Sequence, residues 1–183
     1  MFFEKAGPVW ETLRGFQQRA DEAGIDYVVI GGLALNAYDY PRQTVDVEVV
    51  LSASDYARFT ERFAGSVYRQ VEGAGRRFLD AQSGVTIDIL IAGELAGRKS
   101  KNRTVRFPEP SEAEVHNDLR TVSLARLIEL KLVTWRYKDW GDVVEVIRVH
   151  RLAESFAEQL DPTVRTTFRE CFDQANDPQY ENP

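Results

Sequence analysis

Apolar positions along the chain recur at two different periods, and the change from one to the other predicts its elements. Val9, Trp10, Leu13, Phe16 and Ala20 repeat at helical spacing. Pro8 opens that run, where its missing N–H costs nothing, and Gly24 stops it. Ile25 to Ile30 is apolar and mostly β-branched, as a buried strand requires. Gly31-Gly32 then turns the chain into a short helix over Leu33–Tyr38. Val45 to Leu51 is a second strand, in which Asp46 and Glu48 alternate with valines. Ser52 or Ser54 caps the next helix, with Tyr56, Phe59 and Phe63 on its buried face. Segments 66–71, 76–81 and 84–91 read as strands joined by glycine turns. From about Ser123 the period is helical throughout: Leu124, Leu127, Ile128, Leu130, Lys131 and Trp135 fall on one helix, Val143, Val144, Ile147 and Leu152 on a second. Val164, Phe168 and Phe172 mark a third, and the polar tail from Asp173 is expected to fray. The expectation is an α/β (α+β) fold: a mixed β-sheet flanked by helices over 1–115, and a helical C-terminal part over 116–183.

Composition narrows the chemistry. The 183 residues are 43% hydrophobic and 28% charged, enough for a real core. Lys plus Arg is 23 against 29 Asp plus Glu, a net charge of −6, so bulk positive charge does not hold this protein to nucleic acid. The one basic run, Arg98, Lys99, Lys101, Arg103 and Arg106, is either a solvated loop or the local patch for a phosphate-bearing acceptor. A single cysteine, Cys171, excludes an internal disulfide and thiolate zinc sites, and two histidines exclude a histidine cage. Any metal is therefore expected to be a hard cation held by carboxylates. The longest charge-free run, Tyr27 to Tyr38, is too short to span a bilayer, and the N-terminal residues lack a signal-peptide pattern. No membrane partner and a cytoplasmic location are expected.

Acids inside apolar strands carry the chemical signal. Asp46 and Glu48 are two positions apart and share one strand face, among Val45, Val47, Val49 and Val50. Such carboxylates are costly unless paired or metal-bound. Asp88 stands alone among Ile87, Ile89, Leu90 and Ile91. The alternative is a half-exposed strand whose acids pair with Arg42 or another base. Gly31-Gly32 sits between a strand and a helix, where backbone N–H groups favour phosphate; equally it is a tight turn. It is neither a dinucleotide fingerprint nor a P-loop. Trp135, Tyr137 and Trp140 are candidates to stack a base, although helical spacing assigns Trp135 to the core. His116, His150 and Cys171 lack sequence partners for nucleophilic chemistry.

Taken in order, Gly31-Gly32-Leu33-Ala34, Arg42-Gln43-Thr44, Asp46-Val47-Glu48 and the later Asp88 resemble the signature of the DNA polymerase β-type nucleotidyltransferase superfamily. Within it the likeness is to the small AbiEii-type and minimal or antibiotic nucleotidyltransferases. Lys131-Leu132 and Lys138-Asp139-x-x-Asp142 are similar to that branch's helical motif. The resemblance spans roughly residues 25–150. It implies transfer of a nucleoside monophosphate from an NTP to a hydroxyl of tRNA, a protein or a small molecule, in an enzyme or a toxin–antitoxin component. Asp46 and Glu48 would hold Mg²⁺ on the triphosphate, and Asp88 would be a second-metal ligand and base. Gly31, Gly32, Arg42, Thr44 and Lys131 would bind the nucleotide, with Lys131 otherwise a snorkelling lysine and Arg42 otherwise paired to Asp39 or Glu48. Two positions depart from the family pattern: Gly32 replaces a serine, and Glu48 an aspartate. They motivate the rival expectation of a degenerate nucleotidyltransferase-fold binding module.

Overall fold

The structure is a computed structural model that describes residues 6–97 and 104–181. Helix α1 (Pro8–Ala23) starts at Pro8 and ends at Gly24, whose φ of +63° lets the chain reverse into β1 (Tyr27–Ile30). Helix α2 (Gly31–Ala37) follows β1 without a linker. Strand β2 (Asp46–Leu51) leads to α3 (Ala53–Phe63), where the Ser52 hydroxyl accepts the Asp55 N–H at 3.0 Å and caps the helix. Strands β3 (Tyr68–Gln70), β4 (Arg77–Asp80) and β5 (Thr86–Ile91) complete one side of the sheet.

A hairpin that periodicity did not predict, β6 (Glu114–His116) and β7 (Leu119–Thr121), adds the other side. Its strands are three residues each and largely polar, so they carry no period-2 signature. The signal present was the Asn117-Asp118 turn, where both residues have positive φ, as a two-residue hairpin loop of this kind demands. Because β7 pairs in parallel with β1, the sheet runs on past residue 115, and the helical part begins after Thr121.

The seven strands lie in the order β3-β4-β5-β2-β1-β7-β6, a mixed sheet with β2 and β5 parallel at its centre. Strand alternation divides its faces. Tyr27, Val29, Val47, Val49, Ile87 and Phe78 are on one face and buried. Phe16 of α1 and Phe59 of α3 cover it, with ring centroids 5.5 Å (Phe16–Tyr27) and 5.2 Å (Phe59–Phe78) apart. The other face carries Ile30, Asp46, Glu48, Asp88 and Leu90. Helix α4 (Leu124–Leu132) lies over its apolar part and leaves the acidic end open. Helix α5 (Tyr137–His150) packs on α4 and on α6 (Arg165–Ala175). No helix among the described residues is long and apolar enough to cross a membrane.

Candidate active site

Strand register brings the three sequence-selected carboxylates onto one face. Glu48 is directly opposite Asp88 in the parallel β2–β5 pair, and Asp46 is opposite Thr86 one step away on the same side. Each has a different environment. Asp46 Oδ1 accepts the Thr44 hydroxyl at 2.8 Å. Asp88 is clamped by a residue the sequence reading missed: Arg77, its antiparallel neighbour on β4, donates Nε and Nη2 to the two carboxylate oxygens at 2.6 Å each. Its hydrogen bonds to Asp88, then the charges of Asp88, Asp46 and Glu48, hold the Arg77 guanidinium above its usual range. Only the pairing of β4 with β5 reveals this contact, because an arginine in an exposed strand position carries no sequence signal.

Glu48 is the exception. Among the described residues its carboxylate has no hydrogen-bond or ion-pair partner. Burial pushes its pKa up, and the charges of Asp46 and Asp88 add to the rise; Lys131 and Arg136 oppose it. Its position depends on Gly31, which has a φ of +70° and lies where a Cβ would come within 1.7 Å of Glu48 Oε2. A Cβ on Gly32 would meet Thr44 Cβ at 2.8 Å and Arg42 Nη1 at 3.0 Å. Both glycines thus have a packing role: they let Glu48, Thr44 and Arg42 close on the β1–α2 turn.

The helical motif forms a buried ion-pair knot. Lys131 Nζ donates to Asp142 Oδ2 at 2.8 Å and to Asp139 Oδ1 at 3.2 Å, and all three side chains are buried. Asp139 Oδ2 accepts from Thr134 Oγ1 at 2.6 Å and Arg136 Nε at 2.5 Å. Arg42 Nε reaches Asp142 Oδ1 at 2.8 Å, so Arg42 pairs with neither Asp39 nor Glu48. Burial by itself would raise Asp139; the Thr134 hydrogen bond, the Lys131 charge and the Arg136 contacts outweigh it and hold the carboxyl below its usual range. Lys131 is neither a surface lysine nor unpaired: it ties α4 to α5, and its charge reaches Glu48.

Two cavities meet at this point. One, of about 200 Å³, is polar and lined by Asp46 and Glu48 together with Arg42, Lys131, Arg136 and Lys138. The other, of about 190 Å³, shares Glu48, Lys131 and Arg136 but is walled by Leu90, Phe107, Leu127 and Leu130. Arg136 was not selected from the sequence, and Lys138 only as part of the helical motif; their place at the start of α5 and beside Asp139 gives them access to the site. Trp135, which spacing assigns to the core, is 57% exposed, because α4 ends at Leu132 and the turn holds Trp135 at a φ of +56°. Of the basic run, Arg98 to Arg103 lies outside the described residues, and Arg106 donates to the Gly93 carbonyl at 2.6 Å.

The donor set suits a hard cation at Asp46 and Glu48, since Glu48 is an orphaned carboxylate beside two like charges. The site is not preassembled as a three-carboxylate cage: no such cluster of His, Cys, Asp or Glu occurs among the described residues. His116 pairs with Glu114, and His150 lies 2.8 Å from the Tyr38 carbonyl. Burial pushes the Cys171 thiol up to about 11, so neither histidine nor the cysteine is placed as a nucleophile.

No protein-family model matches the chain, and no curated protein matches it in sequence. Solved structures do match. The chain resembles a crystal structure of ANT(2'')-Ia in complex with adenylyl-2''-tobramycin, with a TM-score of 0.54 and 16% identity over 88% of this chain and 97% of that one. It also resembles the solution structure of the antibiotic-resistance factor ANT(2'')-Ia, with a TM-score of 0.52 and 16% identity over 94% and 97%. The fold of this chain is that of these neighbours, the nucleotidyltransferase fold.

Proposed function

We propose that the protein is a Mg²⁺-dependent nucleotidyltransferase that moves a nucleoside monophosphate from an NTP to a hydroxyl of a small-molecule acceptor. The observation that supports it most is the orphaned Glu48 carboxylate beside Asp46, facing a cavity that Arg42, Lys131, Arg136 and Lys138 also line. Acids and bases in one cleft match a substrate presented as a polyanion with a divalent cation. Asp46 and Glu48 would hold Mg²⁺, which when bound supplies charge neutralisation at the phosphate oxygens. Arg42, Arg136 and Lys138 hold the triphosphate, with Lys131 adding buried positive charge behind them. Arg77 orients Asp88, which accepts the acceptor's proton. The acceptor oxygen then bonds to the α-phosphorus, the bond from that phosphorus to the β-phosphate oxygen breaks, and pyrophosphate leaves with the electron pair. The apolar cavity beside Leu90, on the strand face of Asp88, receives the acceptor.

The ANT(2'')-Ia neighbour bound to an adenylylated tobramycin supports a small-molecule acceptor as the first class to test. A tRNA or protein acceptor, an AbiEii-type kinship and a toxin–antitoxin role draw no support from the described residues. A second reading has one observation in its favour: Arg77 engages both oxygens of Asp88, as expected of a binding module that no longer turns over.

Thermal unfolding with each NTP, with and without Mg²⁺, on the wild type and on Asp46→Ala tests the nucleotide site. Stabilisation is expected only with NTP, Mg²⁺ and Asp46 together. Incubation with α-labelled NTP and a panel of aminoglycosides and other polyols then reads the transfer. Metal charge stabilisation of several kcal/mol makes the expected loss in Asp46→Ala on the order of a thousandfold. Stabilisation without labelled product from any acceptor favours the binding module.

A further inference from the structure

The α4–α5 turn alternates aromatic and cationic side chains: Trp135, Arg136, Tyr137, Lys138. Its two aromatics are out in solvent, Trp135 at 57% and Tyr137 at 90% exposure. Both pack on Trp140, with ring centroids 5.7 and 6.0 Å from it, so they form one supported shelf rather than two stray rings. The backbone at Trp135 is left-handed, a conformation that bulky side chains avoid, and it is fixed there by Thr134, whose hydroxyl donates to Asp139 Oδ2 at 2.6 Å and accepts the Arg136 N–H at 3.2 Å. The cations next to them in the chain, Arg136 and Lys138, line the cavity that holds Asp46 and Glu48. Lys138 has no ion pair among the described residues.

We infer that Trp135 and Tyr137 form the nucleobase-binding shelf of the donor nucleotide, stacking its base while Arg136 and Lys138 hold its phosphates. This rests on the nucleotidyltransferase reading given above and adds to it the part of the site that recognises the base. A ligand with a polyanionic end and a flat, apolar π-face matches the two halves of this turn, and a nucleotide is that ligand. Stacking on an aromatic face is tolerant of base identity, so discrimination among NTPs by this shelf is weak.

Isothermal titration of the full chain in magnesium buffer with ATP, CTP and inorganic tripolyphosphate tests the shelf. Wild type is expected to bind the NTPs at least tenfold more tightly than tripolyphosphate. Trp135→Ala and Tyr137→Ala are expected to lose about fivefold to twentyfold for NTPs with no change for tripolyphosphate, and Trp135→Phe to restore most of the loss. Lys138→Ala should weaken both probes. Equal wild-type affinity for ATP and tripolyphosphate, or unchanged ATP binding in both aromatic variants, overturns the shelf and leaves the phosphate site standing. A selective loss of ATP in Phe107→Ala instead puts the base in the apolar cavity and also overturns it. Binding of a single-stranded oligoribonucleotide that depends on Trp135, while ATP binding does not, assigns the shelf to an acceptor and overturns it likewise. If neither ATP nor tripolyphosphate binds the wild type, the nucleotide reading itself fails and takes the shelf with it. Both aromatics are exposed, so a matching urea midpoint for the variants shows that the losses are local.

Discussion

The molecule carries charge into its interior in two adjoining places and treats it in opposite ways. In the α4–α5 knot, Lys131, Asp139 and Asp142 are buried, and each oxygen of the two carboxylates has a named cationic or hydroxyl partner. On the β2–β5 face, Glu48 is left with charges nearby and, among the described residues, no bond to any of them. A buried charge with complete partners organises structure; a buried charge without them stores an unmet electrostatic demand that a ligand can meet. The knot therefore fixes where Arg42, Lys131 and Arg136 stand beside the open face.

The comparison breaks most visibly at Lys131. Lys131→Met removes the shared cation and leaves Asp139 and Asp142 buried with reduced compensation, and about 3–5 kcal/mol of stability is expected to go, read by urea unfolding. The corresponding change on the open face, Glu48→Gln, is expected to stabilise the protein at neutral pH while abolishing Mg²⁺-dependent nucleotide stabilisation. A loss of stability in Glu48→Gln would show that Glu48 has a structural partner after all.

Gly31→Ala comes next. A side chain there is disfavoured at a φ of +70° and would run into Glu48 Oε2, so about 2 kcal/mol is the expected cost. Glu48→Ala in the same chain should return part of it, and a double-mutant cycle with no coupling refutes the contact.

The pH responses of the two regions have opposite signs. Asp139 is held below its ordinary value of 3.8, so its contribution is present above that pH and fades as pH falls through the lower folded value. Glu48 is raised above its ordinary 4.5, so its contribution is present below that pH and is lost as pH rises through the higher folded value. Denaturation curves from pH 3 to 8 should show an acid-side loss that Asp139→Asn removes and a loss on raising pH that Glu48→Gln removes. The smallest effect belongs to Arg77→Gln. Arg77 is 45% exposed, and its ion pair is worth less than about 1 kcal/mol of stability. Freed of its clamp, Asp88 should raise Mg²⁺ affinity by calorimetry; an unchanged affinity would detach Asp88 from cation binding.

Much of the fold was legible because its determinants are local. Pro8 and Gly24 bound α1, Ser52 caps α3, and the valine and isoleucine runs of β1, β2 and β5 declare buried strands. The β6–β7 hairpin was not legible, since three-residue polar strands owe their place to pairing with β1 rather than to their own pattern. At the site, Asp46, Glu48 and Asp88 stood out because acids in apolar strands violate the local rule. Arg77 and Arg136 did not, because a cation in a polar context violates nothing.

What the sequence by itself determined is therefore the set of elements and the anomalous carboxylates, because burial and period are written into neighbouring residues. Partnership was decided by the tertiary structure alone. Whether Lys131 faces solvent, phosphate or Asp142, whether Arg42 meets Glu48 or Asp142, and whether Trp135 packs or stands exposed depend on groups up to a hundred residues apart in the chain. Coulomb and hydrogen-bond energies fall off within a few ångströms of space and take no account of distance along the sequence, so only the folded chain can assign them.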